Sequence, residues 1–97
     1  MTSKAAAKIQ MAMRARACVM GDALIRAIQN GSAKLVVYSS ACGANRTKKL
    51  KDKCTYYDVP LLEMGAEEFS CISNRAAMSL GITDQNLASG IMKDMKG

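Results

Sequence analysis

Residues 33–38, Ala33-Lys34-Leu35-Val36-Val37-Tyr38, form a nearly continuous apolar run with adjacent β-branched residues. That is the pattern of a strand covered on both faces rather than on one. The run predicts the central strand of a sheet with helices packed above and below it. Upstream, the Asn30-Gly31 pair supplies a helix stop, and Leu24, Ala27 and Ile28 recur at the spacing of one helical face. Gly21 and Asp22 open that helix, where the charge of Asp22 complements the exposed amide groups. An extended piece, Cys18 to Met20, precedes it. Residues 4–17 place Ala5, Ile9, Ala12 and Met13 on one side of an amphipathic first helix.

Downstream, Ser39-Ser40-Ala41-Cys42-Gly43 is turn-prone, and residues 45–57 read as a third helix with Leu50, Cys54 and Tyr57 on its apolar side. Val59 to Leu62 predict a short strand whose opening suits Pro60, which has no amide hydrogen to contribute. Gly65 to Cys71 predict a brief helix and Ala76 to Ile82 a fourth strand. Thr83-Asp84 then cap a last helix with Leu87, Ile91 and Met95 on its inner face. Helices and strands alternate with no linker, repeat or low-complexity segment. The expectation is an α/β fold with a sheet sandwiched between helical layers, spanning residues 1–97 as one domain, because 97 residues cannot usefully be divided into two cores.

The hydrophobic fraction of 49% comes from aliphatic residues and methionine, with aromatics at only 4%, which suits a globular chain and argues against disorder. No apolar run approaches the roughly 18–20 residues that span a bilayer. The opening MTSKAAAKIQ has no signal-type apolar segment. A cytoplasmic protein with no membrane partner is expected. The four cysteines, Cys18, Cys42, Cys54 and Cys71, include no C-x-x-C pair, and there is no histidine to complete a zinc site. Neither metal nor cofactor is expected, and the plain reading of the cysteines is small buried hydrophobes.

Enzymatic readings lack parts. Without histidine, acid–base chemistry near neutral pH would need a strongly shifted carboxylate, lysine or cysteine, and no spacing pairs two such groups. Gly31-Ser32-Ala33-Lys34 lacks the phosphate-loop spacing, and no G-x-G-x-x-G follows a strand. A non-catalytic protein without a small-molecule substrate is expected; a small hydrolase using Cys42 or Cys54 is the enzymatic alternative.

Charge is more informative. The net charge is +6, with a pI near 9.4, and it is unevenly spread. Residues 1–54 carry a balance of +9, interrupted only by Asp22 and Asp52, whereas residues 55–97 carry −3. Segregation of this kind is what a phosphate-facing surface requires. The densest feature is Arg46-Thr47-Lys48-Lys49-Leu50-Lys51-Asp52-Lys53, where Arg46, Lys49 and Lys53 share one side of a helix; its plainer reading is a solvated helix face. Asp22 and Arg26, four apart, read most plainly as an intrahelical ion pair. The sharper reading is a helix start that offers free amides to a phosphate, with the planar fork of Arg26 one turn later. The methionines read as flexible core fillers and Tyr56-Tyr57 as packing at a helix end.

Taken in order, MRAR, GDALIRAIQNGSAKLVV, NRTKKLKDKCTYYDVP and GITDQNLA resemble the bacterial branch of the kink-turn-binding ribosomal-protein family, over roughly residues 8 to 92. The resemblance implies a three-layer α/β/α sandwich with a four-stranded mixed sheet; such a fold needs no partner to complete its core, so a monomer is expected. It implies recognition of a kink-turn, a sharply bent RNA built around tandem sheared G·A pairs, with ribosomal RNA among the candidate partners. A regular A-form major groove is too deep and narrow for side chains, so a reader of that groove needs RNA opened by its shape. In the family, the start of the second helix enters the widened groove, and a loop before the last strand covers an extruded base.

Matched residue by residue, Asp22 takes the family's acidic position and Arg26 its basic one, while Gly21 stands where Asn or Glu is usual and offers only its backbone. The covering loop corresponds to Ile72-Ser73-Asn74-Arg75-Ala76, with Ile72 against the base and Asn74 and Arg75 near the backbone. Ser40-Ala41 replaces the family's acidic pair. Lys34, Arg46, Lys49 and Lys53 are the expected contributors of salt-sensitive phosphate contacts. The alternative within the same fold is a ribosome-associated interaction or assembly module without kink-turn specificity.

Overall fold

A computed structural model describes residues 4–67, 69 and 78–96. The helices are α1 (Lys4–Arg14), α2 (Asp22–Gln29), α3 (Ala44–Tyr56) and α4 (Gln85–Lys96). The strands are β1 (Cys18–Val19), β2 (Leu35–Ser39), β3 (Leu61–Met64) and β4 (Ser79–Ile82), in the order β1-β4-β2-β3. β2 is interior as expected, parallel to β3 with Val36 opposite Leu61 and antiparallel to β4 with Leu35 opposite Ile82.

All five residues of β2 are buried, and their alternation divides the core in two. Leu35 and Val37 join Ala6, Ile9 and Ala12 of α1 and Ala88 and Ile91 of α4 on one face of the sheet. Val36 and Tyr38 join Leu24, Ala27 and Ile28 of α2 and Leu50 and Cys54 of α3 on the other. A strand apolar on both sides thus produces three layers, α/β/α, each fully buried Leu, Ile or Val contributing about 1.5–3 kcal/mol. The stripe expected on α2 is the stripe found.

Helix ends explain the departures. α1 stops at Arg14 rather than continuing to 17: Arg16 adopts φ 59°, its N–H donates to the Met13 carbonyl (3.3 Å), and the Ala17 N–H donates to the Ala12 carbonyl (2.8 Å). This is the paired bonding of a Schellman stop. The same arrangement closes α3, with Asp58 at φ 57° and the Val59 N–H donating to the Cys54 carbonyl (2.8 Å). Tyr57, expected on the apolar side, is therefore the residue just past the helix and is 40% exposed. Because Val59 spends its N–H on that stop, the third strand cannot begin there. The Pro60 carbonyl accepts from the Val36 N–H (2.9 Å), and paired residues run over Leu61–Met64 instead of 59–62.

Beyond β3, Ala66, Glu67 and Phe69 are helical, and the buried Phe69 donates its N–H to the Gly65 carbonyl (2.9 Å). The expected placements of Cys71 and Ala76, and of the side chains of Ala5 and Met95, lie outside the described residues. α4 is capped as expected, the Leu87 N–H donating to Asp84 Oδ1 at 3.0 Å. α1 and α4 are clasped by Lys8 Nζ, 2.7 Å from Asp94 Oδ2. That oxygen is inaccessible to solvent and has no well-angled hydrogen bond, so the lysine serves as its counter-charge. Among the described residues no helix is long and apolar enough to cross a membrane.

Candidate nucleic-acid interface

β1 and β2 both run antiparallel to β4, and β3 runs parallel to β2, so three strands point the same way. The segments that follow them start at one edge of the sheet: α2 at Gly21-Asp22, α3 at Gly43-Ala44 and the short helical turn at Gly65-Ala66. β4 begins at that edge too. The carboxyl edge of same-direction strands is where ligands meet open α/β sheets.

A glycine precedes each of the three helical starts. A Cβ added at Gly21, Gly43 or Gly65 would meet no atom within 4 Å, so the surface in front of each is open. Gly21 adopts φ 64° and ψ −136°, a conformation that favours glycine. Neither Gly21 nor Gly43 supplies a side-chain cap, which leaves first-turn N–H groups of α2 and α3 facing outward. The third start differs, since Ser40 Oγ accepts from the Ala66 N–H at 2.9 Å.

The uncapped amides and the aligned helix dipoles favour an anion at this edge, a preference that the Asp22 carboxylate already meets in part at α2 and that nothing acidic meets in the first turn of α3. α3 has no acidic residue in its first turn and carries Arg46 there, against the usual dipole preference. A bound phosphate would reverse that disadvantage. Asp22 and Arg26 are exposed on α2, and among the described residues they form no ion pair with each other. The intrahelical pair is thus absent, and the guanidinium is free to meet a partner.

Other expected residues scatter. Lys34 sits at the opposite edge, before β2, where its Nζ donates to the Gly31 carbonyl (3.2 Å) and serves the end of α2. Arg46 lies near the helix-start edge, with Lys49 and Lys53 on successive turns leading away from it; Arg46 and Lys49 are exposed, Lys53 partly so. Ile72, Asn74 and Arg75 lie outside the described residues. Met78 at the edge gave no signal in the sequence, and Ser39, expected to open a turn, is the last residue of β2. Met78, immediately before β4, is 42% exposed and accepts from the Ser39 N–H (2.8 Å), while Ser39 Oγ accepts from the Ala41 N–H (3.1 Å).

Cys18 and Cys54 are inert by environment, since burial pushes each thiol up to about 11. Cys54 is packed in the core between α2, α3 and the sheet. Among the described residues no three His, Cys, Asp or Glu side chains gather where they could hold a metal.

The three-layer sandwich with an open edge of helix starts defines the class: an α/β/α domain with a four-stranded mixed sheet. Residues 3–89 match the ribosomal protein L7Ae/L30e/S12e/Gadd45 family, and the chain belongs to that family. It is 38% identical over 85 residues to RNA-binding protein YlxQ of Bacillus subtilis, covering 84% of this chain and 85% of the relative. Its identity to RNA-binding protein YlxQ of Enterococcus faecium is 34% over 96 residues, covering 97% and 93%. Among solved structures, a Bacillus halodurans protein with unknown function superimposes with a TM-score of 0.90 at 28% identity, covering 98% of this chain and 99% of that one. The Giardia lamblia 15.5kD RNA binding protein gives 0.71 at 17% identity over 94% and 84%, a likeness of fold alone.

Proposed function

We propose that this chain is a cytoplasmic, monomeric, non-catalytic RNA-binding protein, the whole chain serving as one domain that recognises a kink-turn or a similarly bent structured RNA. The observation that carries the reading is the open start of α2, with uncapped amides behind Gly21 and the exposed Arg26 one turn further on. The relatives named RNA-binding protein YlxQ support the choice of RNA over other anions. Gly21 lets the sugar–phosphate backbone approach closely, and Asp22, one turn before Arg26, orients that guanidinium against guanine edges in the opened groove once RNA is bound. Ile72, Asn74 and Arg75 contribute from the segment before β4, and Arg46, Lys49 and Lys53 add salt-sensitive phosphate contacts. Preferential binding to the kinked form stabilises it, ribosomal RNA being one source of such an element.

A second reading keeps the fold as a ribosome-associated assembly module that ignores RNA shape. It is favoured by the absence of a side chain at Gly21 and of acidic residues at Ser40-Ala41. Titration of a kink-turn RNA and of the same RNA with its G·A pairs disrupted, across a salt series, decides between them. Kink-turn recognition predicts a preference that persists as salt rises; equal affinities that fall together with salt support the assembly module.

A further inference from the structure

One recess among the described residues, of about 620 Å³, extends away from the helix-start edge. It runs along the outer face of α3, lined by Asn45, Lys48, Lys49, Asp52 and Lys53 and closed at its far end by Tyr56 and Tyr57. Tyr56 is 81% exposed and belongs to no core cluster. Tyr57 meets its ring edge to face, with centroids 4.8 Å apart and planes at 71°. Three lysines against Asp52 make the recess cationic, and an acidic occupant suits it better than a basic one.

We propose that this recess is a second RNA contact, one that takes unpaired nucleotides. A base stacks on Tyr56 while the flanking phosphates lie against Lys49 and Lys53. The pairing of an exposed aromatic with neighbouring cations on one track is what a single strand needs and a regular duplex cannot use, since duplex bases are already stacked. Position adds to the case. The recess begins at Asn45 in the first turn of α3, beside the helix-start edge, and reaches Tyr56 about 16 Å away along the helix axis. A strand leaving a structured element held at that edge has a continuous path into it. The proposal rests on the RNA-binding reading for the nature of the ligand, but it invokes neither Arg26 nor the start of α2.

The test uses the full chain and a short single-stranded oligoadenylate carrying one 2-aminopurine, whose fluorescence falls when the base stacks. The wild type should quench it, Tyr56→Ala should weaken binding roughly tenfold, and Tyr56→Phe should retain binding. Lys49→Gln with Lys53→Gln should flatten the salt dependence. A blunt-ended kink-turn RNA, with no unpaired flank, should bind Tyr56→Ala as it binds the wild type. Tyr56 is exposed, so circular dichroism should show Tyr56→Ala fully folded. No quenching by the wild type, or equal affinity of Tyr56→Ala, overturns the proposal, and the kink-turn titration still judges the main reading separately. An oligoglutamate peptide that displaces the oligoadenylate at lower concentration than unlabelled oligoadenylate does also overturns it, marking the recess as a protein-docking surface.

Discussion

Gly81 of β4 lies so close beneath Leu24 of α2 that a Cβ added to the glycine would stand 2.6 Å from Leu24 Cδ1 and 3.2 Å from Val19 Cγ2. The contact sets how near the first turn of α2 comes to the sheet. Gly81→Ala should therefore destabilise the fold by roughly 1–3 kcal/mol, by overpacking rather than by lost burial. A urea titration should show a lower midpoint with an unchanged slope. The same variant pushes α2 outward and should weaken kink-turn binding more than binding to plain duplex.

Arg26 and Lys34 offer a paired comparison, because both are basic but they lie at opposite edges. Arg26→Ala should cost on the order of tenfold or more in kink-turn affinity, as expected for a charge-assisted hydrogen bond, with a smaller loss on duplex RNA. Lys34→Ala should leave kink-turn affinity within about twofold of the wild type, since its Nζ serves the Gly31 carbonyl. Gel-shift titrations on both RNAs check the pair, and equal losses for Arg26→Ala on the two RNAs would count against specific recognition.

Arg16 holds a left-handed conformation at φ 59° for which glycine carries no steric penalty. Arg16→Gly should stabilise the domain by about 0.5–1 kcal/mol, the relief of the left-handed backbone outweighing the added freedom of the unfolded chain. Thermal melts check it.

Two desolvated thiols, the half-buried Cys18 and the buried Cys54, make a prediction about pH. Cys18 and Cys54 are raised from 9.0 to about 11 by desolvation, so folding favours their protonated forms. Their contribution is complete below pH 9, where folded and unfolded thiols are both neutral, and is lost as the pH climbs from about 9 toward 11. Stability should fall across that window, less steeply in Cys54→Ala. Peptide mapping after iodoacetamide treatment at neutral pH should find Cys42 modified well before Cys18 or Cys54.

What could be read from residues alone was the periodic part. Leu24, Ala27 and Ile28 announce the inner face of α2, and residues 33–38 announce a strand covered on both sides, because burial repeats at fixed intervals whatever the surroundings. The end of α3 was not legible. Whether Val59 bonds to Cys54 or to a neighbouring strand depends on where β2 lies, and Tyr57 looks apolar by spacing although the helix has already ended. The candidate interface divides in the same way. The basic bias of residues 1–54 is plain in the sequence, but the separation of Lys34 from Gly21 follows from strand direction, which emerges only through pairing with β4. Tyr56 read as packing because a sequence does not show which side of a helix is left bare.

The Lys8–Asp94 clasp brings the opening turns of α1 beside the closing turns of α4. The start of α1 and the end of α4 thus lie side by side, and the order in which the layers are joined can be changed without rearranging them. A circular permutant that joins the two outer helices through a short glycine-serine bridge and opens at the exposed Ser32, after the Asn30-Gly31 stop, should keep the same sheet order and the same edge of helix starts. Such a rearranged chain would carry its new ends on the side of the sheet away from Gly21, where a dye or surface tether leaves the bent RNA unobstructed.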